Sequence, residues 1–318
     1  MILHRFLAAT LLIAGGALLA GCQQESTTTS TGSAPAPAKA EAKVPEKLVI
    51  AFQKQKDPTK IQAGAERIGA LLSAKIGIPV EVVVPASYSA SVQALVSNKV
   101  QVAYVSALPF IMARAEAPVE LLLAEVRDNR TEYDSVFVVR KDDPAQTLAD
   151  LRGRRMMFTS PTSTSGYVMA YSRLVNEGLL QKREDPAKFF SEVGFAGGYD
   201  RALMAVFNGQ SDVCAVSYYT VEGPKADLYS TAEMRAGLRV LARTPGVPTH
   251  LLCMRSDLPA DFKEQLRTAF LAISAENPEV LADVYGAARF EAVDSDAHVA
   301  KGVEALENTG LLLKSLVD

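Results

Sequence analysis

Two stretches of equal length decide the fold: VQALVSNKVQVAYVS, Val92–Ser106, and LMAVFNGQSDVCAVS, Leu203–Ser217. They align without a gap. Each reads as the end of a helix, a polar turn, an apolar strand and a terminal serine. Any helix–turn–strand unit shares part of this pattern, but equal length and equal endings point to two related halves. Strands and helices alternate around them. LVIAF (Leu48–Phe52) is a buried-strand run, and Ile61, Ala65, Ile68 and Leu72 give helical spacing over Thr59–Lys75. Further strands are expected at Pro79–Val84, Val100–Ser106, Leu121–Val126, Ser135–Arg140, Arg155–Thr159, Val213–Ser217, Leu238–Ala242 and His250–Arg255. Helices are expected after a Ser89 cap, at Thr147–Leu151, near Asp200–Asn208, over Pro259–Ser274 and over Asp296–Leu306. Such alternation is α/β with mostly parallel sheets. Ligands in open α/β sheets bind beyond the carboxyl ends of the strands, which would set Ser106 and Ser217 across one cleft.

The N-terminus carries an address. Arg5 precedes an apolar run, Phe6–Leu19, and then Leu19-Ala20-Gly21-Cys22. A positive start, an apolar run and small residues at the cut make a secretory signal over residues 1–21. The run is about fourteen residues, short of the roughly twenty that span a bilayer. Leu-Ala-Gly-Cys resembles the bacterial lipobox, which implies lipidation of Cys22 as the first mature residue. Residues 22–46 are rich in Ser, Thr, Ala, Pro, Lys and Glu. They cannot bury enough apolar surface to offset chain entropy and are expected to form a flexible tether.

Composition narrows the function. The formal charge of -3 and the scattered Lys and Arg leave no basic footprint for nucleic acid. A hydrophobic fraction of 48% suits a globular core. Beyond Cys22 only Cys214 and Cys253 remain. An oxidising compartment permits a disulfide, but both lie in apolar strand-like runs, which reads as buried free thiols. Histidine is limited to His4, His250 and His298, and no HExxH, GxSxG or P-loop occurs. No enzyme, metal or cofactor is expected.

One segment points to an anion. After the strand Arg155–Thr159 comes a polar turn, Ser160-Pro161-Thr162, then Ser163-Thr164-Ser165-Gly166 opening a helix to Val175. The first amides of a helix lack internal partners and carry partial positive charge. An oxyanion satisfies both, three hydroxyls add donors, and Gly166 would let backbone approach closely.

ASYSASVQALVSNKVQVAYVS (Ala86–Ser106), YDSVFVV (Tyr133–Val139), LADLRGRRMMFTSPTSTSGY (Leu148–Tyr167) and NGQSDVCAVS (Asn208–Ser217) together resemble the phosphate/phosphite/phosphonate-binding family of periplasmic substrate-binding proteins of ABC transporters. The resemblance runs from Leu48 to about Leu312. It implies an α/β, type II-like, two-lobe periplasmic binding protein with the ligand in the interlobe cleft. Lobe 1 would comprise residues 47–138 and 245–318, and lobe 2 residues 139–244. Chain crossings would fall near Val138–Arg140 and Arg243–Pro248. It also implies ligand contacts at Tyr88, Ser106, Tyr133, Ser163, Thr164, Ser165, Tyr199, Ser217 and Tyr218. A tyrosine in an α/β lobe also serves as packing with a satisfied hydroxyl, so each tyrosine has that second reading. Where family members carry a Gly-x-His-Asp turn this chain has Gly197-Gly198-Tyr199-Asp200, and where several carry a carboxylate Ser217 is followed by Tyr218 and Tyr219. The implied partners are a small phosphorus oxyanion, an ABC permease with its ATPase, and a membrane reached through the lipid anchor. The body is expected to be a monomer. Two alternatives stay open: a periplasmic sensor presenting its ligand to a membrane kinase, and a binder of a more apolar small molecule.

Overall fold

The structure is a computed structural model and describes residues 43–316. Cys22, the signal and nearly all of the tether lie outside the described residues. The elements begin with β1 (Leu48–Phe52), α1 (Pro58–Ile76), β2 (Val80–Val83), α2 (Tyr88–Val96), β3 (Val102–Val105), α3 (Ala107–Glu116) and β4 (Val119–Val126). The middle of the chain forms β5 (Glu132–Arg140), β6 (Arg155–Phe158), α4 (Met169–Asn176), β7 (Glu192–Phe195), α5 (Tyr199–Phe207), β8 (Val213–Ser217), α6 (Ala232–Gly237) and β9 (Leu238–Pro248). The last part forms β10 (Leu251–Arg255), α7 (Ala260–Glu276), α8 (Pro278–Tyr285), β11 (Arg289–Glu291) and α9 (Ser295–Thr309).

The strands form two sheets, ordered β11-β4-β10-β3-β1-β2 and β7-β6-β8-β5-β9. Both are mixed, where mostly parallel sheets were expected. Pairs among β1, β2 and β3 and among β6, β7 and β8 are parallel. Pairs involving β4, β5, β9, β10 and β11 are antiparallel. The cause is connectivity. The chain leaves the first sheet after β4 and re-enters it as β10, running the other way.

The change of sheet falls at Arg127–Thr131 and at Thr249–His250, because β5 pairs with β9 from Glu132↔Pro248 to Arg140↔Leu238 within the second sheet. The outgoing crossing therefore lies before Val138, not beside it. The last helix, α9, is not confined to the first half. Asp296 pairs with Arg114 of α3 at 2.7 Å, while Asn308 donates to Ser172 Oγ (2.9 Å) and Asn176 Oδ1 (2.7 Å) of α4.

Local chemistry sets the elements. Asp57 caps α1 by accepting from the Thr59 amide at 3.0 Å, Pro58 occupies the first turn, and Gly77 ends the helix at φ 76°. Ser87, not Ser89, caps α2, accepting from the Ala90 amide at 3.1 Å. β1 is apolar throughout because it serves two cores. Leu48, Ile50 and Phe52 face α1, α7 and α8, while Ala51 joins the core that continues into the second sheet with Phe110, Phe137 and Val216. Cys214 and Cys253 are buried free thiols, one in each sheet, and burial raises the pKa of both.

Candidate functional site

The carboxyl ends of the parallel strands meet between the two sheets. From the first half come Gln53, Gln55 and Lys56 after β1, and Ser106 after β3. From the second come Thr159–Ser165 after β6, Tyr199 after β7, Ser217 at the end of β8 and Tyr218–Thr220 after it. Most of these polar residues are fully buried, so each must find partners inside the protein or in a ligand.

Ser163 caps the turn that opens the α4 helix, its Oγ accepting from the Gly166 amide at 3.0 Å. Thr164–Val168 winds as one π-helical turn, with the Val168 amide bonded to the Ser163 carbonyl at 3.2 Å. Single π turns inside helices recur at functional sites. Thr164 reaches across to the other half, where its Oγ1 accepts from the Leu108 amide at the N-terminus of α3 at 2.9 Å. Ser165 is the hub of the cluster. Its Oγ lies 2.8 Å from Ser217 Oγ, 2.9 Å from the Tyr199 hydroxyl and 3.5 Å from the Tyr133 hydroxyl. Its carbonyl accepts from Ser135 Oγ at 2.7 Å.

The structure thus brings together Tyr133, Ser163, Thr164, Ser165, Tyr199 and Ser217. Ser106 is bonded to Gln53, its amide donating to Gln53 Oε1 at 3.0 Å. Tyr88 is buried at the start of α2 and lines a cavity of about 360 Å³ with Lys54, Ser160, Pro161 and Phe195. Tyr218 is turned outward, its hydroxyl bonded to Asp128. Gly166 packs closely on Thr159, just after β6. A Cβ there would lie 2.2 Å from Thr159 Oγ1 and 2.4 Å from Thr159 Cβ. Its missing side chain is what lets the turn pack on β6.

Several residues at this interface carried no signal in the sequence. Gln55 is gripped by the second half, its carbonyl accepting from the Tyr199 amide at 2.9 Å and its Oε1 from the Tyr219 and Tyr229 hydroxyls at 3.3 and 3.4 Å. Lys56 is buried 5.2 Å from the Tyr229 ring centre, and burial, aided by Lys60, lowers its pKa to about 8. Arg127 forms a buried ion pair with Glu125 at 2.8 Å, donates to the Tyr285 and Gly286 carbonyls, and lies 3.9 Å from the Tyr219 ring centre. Glu125 also accepts from the Tyr104 hydroxyl at 2.5 Å. His250 is wholly buried, with parallel Tyr133 (6.1 Å, 9°) and near-parallel Tyr285 (6.0 Å, 23°) as ring neighbours. Burial lowers its pKa to about 4 against the opposing pull of Glu125, so the ring is neutral at physiological pH. The loop after β1 was the one place where position alone could have flagged Gln55 and Lys56.

Among the described residues no group of His, Cys, Asp and Glu could hold a metal ion, and no helix is long and apolar enough to cross a membrane. The chain is 26% identical over 174 residues to the phosphate-import protein PhnD of Mycolicibacterium smegmatis, a match covering 53% of this chain and 54% of that protein. It spans about half the length of that relative. It is 24% identical over 249 residues, 74% of this chain and 80% of the relative, to a probable ABC transporter phosphite-binding protein of Prochlorococcus marinus. The fold superposes on PhnD1 of Prochlorococcus marinus in complex with methylphosphonate with a TM-score of 0.74, at 19% identity, over 84% of this chain and 99% of that one. Residues 50–299 match the family described as ABC transporter, phosphonate, periplasmic substrate-binding protein. With that match running from β1 into α9, the chain belongs to the family of periplasmic substrate-binding proteins of ABC phosphonate transporters.

Proposed function

We propose that this protein captures a small phosphorus oxyanion (phosphate, phosphite or a phosphonate) between its two halves and delivers it to an ABC permease and ATPase. The carrying observation is the turn Ser163–Ser165. It combines a helix N-terminus and three hydroxyls at a buried interface, and Thr164 and the α3 N-terminus already exchange a hydrogen bond across it. The named functions of the relatives support the same ligand class. The halves act as lobes that shut on the ligand, with Gln55 as the contact that registers closure. An ammonium-bearing phosphonate is disfavoured. Glu125 is engaged by Arg127 and Tyr104, and Asp128 by Tyr218, so neither acid is unengaged.

Titration calorimetry with phosphate, phosphite and methylphosphonate tests the proposal. A Thr164→Ala/Ser165→Ala variant is expected to bind at least tenfold more weakly, since one charge-assisted hydrogen bond is worth about 1.5–3 kcal/mol. A folded double variant that binds as tightly as the wild type places the anion elsewhere. Attachment through Cys22 is part of the same proposal, supported by the lipobox-like Leu19–Cys22 and the polar stretch after it. Cys22→Ser should release protein from the membrane fraction or leave it unprocessed, and unchanged fractionation refutes the anchor.

A further inference from the structure

The capture proposal leaves out the rarest feature of the interface, which is three buried nitrogens with no hydrogen-bond partner. They are Gln55 Nε2, His250 Nδ1 and His250 Nε2. Native interiors leave few such atoms, because each costs the desolvation of a polar group. These three share one aromatic wall. His250 faces the Tyr133 ring, Tyr219 packs on the same ring at 5.3 Å, and the Tyr219 hydroxyl holds Gln55 Oε1. The far end of Tyr133 carries a hydroxyl 3.5 Å from Ser165 Oγ.

The surroundings of both groups bear on their roles. The Tyr219 and Tyr229 hydroxyls lie 3.3 and 3.4 Å from Gln55 Oε1, where they can donate to it, and Nε2 is then a donor with no protein acceptor. His250 Nδ1 lies 3.8 Å from Glu125 Oε2. A carboxylate at that distance favours the tautomer with its proton on Nδ1, so Nε2 carries the lone pair. The other charged or titratable groups packed against the ring are Arg127, Tyr104, Tyr133 and Tyr285. Arg127 opposes a positive imidazolium and burial does so more strongly.

We infer that Gln55 and His250 form a recognition pair for the singly protonated form of the oxyanion, Gln55 Nε2 donating to a P–O⁻ oxygen and His250 Nε2 accepting from the P–OH group. A dianion would place a second anionic oxygen against the imidazole lone pair and be rejected. This rests on the capture proposal and adds to it the protonation state that is selected.

The experiment is calorimetry of the full chain with methylphosphonate at pH values below and above the second ionisation of that ligand. In the wild type the dissociation constant should rise about tenfold per pH unit above that ionisation, following the monoanion fraction. His250→Phe should remain folded, with a melting temperature unchanged or raised because two unsatisfied nitrogens are gone. It should bind at least tenfold more weakly below the ionisation and show a flattened pH profile. Gln55→Leu should weaken binding with the profile kept. Wild-type binding that is constant or stronger above the ionisation overturns the pair while leaving capture of the oxyanion intact. So does a folded His250→Phe variant with wild-type affinity and profile, the result expected if a buried water serves the ring. Absence of binding to methylphosphonate, phosphite and phosphate at every pH overturns the capture proposal itself and this pair with it.

Discussion

Arg127→Met is expected to lower the stability of the fold by about 3–5 kcal/mol, the range for removing one partner of a buried ion pair. Glu125 is fully buried and Arg127 nearly so. The guanidinium gives Glu125 two charge-assisted bonds, Nε at 2.9 Å and Nη2 at 2.8 Å, and satisfies two carbonyls at the end of α8. Methionine fills much of the volume but supplies none of these donors. Glu125 would keep only the Tyr104 hydroxyl as a side-chain hydrogen-bond partner. The Tyr219 face would also lose its cation, a further loss of about 0.5–2 kcal/mol. Urea unfolding monitored at equilibrium measures the cost through the midpoint at constant slope. The double variant Glu125→Gln/Arg127→Met should recover most of it, because removing both charges leaves nothing uncompensated. A single variant within about 1 kcal/mol of the wild type would mean that water reaches Glu125.

Gly166→Ala should cost close to 3 kcal/mol, the upper end for inserting a methyl group into a filled core. The added carbon would meet both Oγ1 and Cβ of Thr159 within 2.4 Å. Thr159 cannot turn aside without loss, since its Oγ1 donates to the Ala215 carbonyl at 3.0 Å and its amide to the Gly166 carbonyl at 3.1 Å. Either β6 separates from the turn or the π turn rewinds. The drop should show in melting temperature without ligand. A variant that melts like the wild type and loses only affinity would return Gly166 to the role the sequence suggested, close approach to an anion.

Elements with one amphipathic face, or with a buried run between turn signals, were legible before the structure. β1, α1, β3, α5 and β8 stand within a residue or two of their expected bounds, and the helix–turn–strand pair ending at Ser106 and Ser217 is real in both sheets. α3 escaped notice because ALPFIMARAE is buried through its first seven positions, which erases the helical period, and because Pro109 suggests a break. β9 was cut short at Ala242 because Pro245 and Gly246 normally end strands, yet an edge strand tolerates them. Of the site, the Ser163–Ser165 turn could be reasoned out from helix-terminus chemistry. Gln55, Arg127 and His250 could not, since the hydroxyls on Gln55 and the carbonyls that Arg127 bonds lie 158 to 174 positions away and the rings beside His250 meet it only once the sheets form.

The two crossings between the sheets run side by side. Thr249 gives its amide to the Thr131 carbonyl at 3.0 Å and its hydroxyl to the Glu125 carbonyl at 2.6 Å, just beyond the Glu132↔Pro248 pair, and α9 lies over the junction through Lys301–Glu132 and His298–Thr249. A pair of bonded strands bends readily across its plane but resists shear and torsion. If the halves shut as proposed, this ribbon would leave them essentially one rotational degree of freedom, about a line across it. Movement along it would change every distance across the interface in step, so the single span from Lys54 to Phe195 would stand for the whole coordinate.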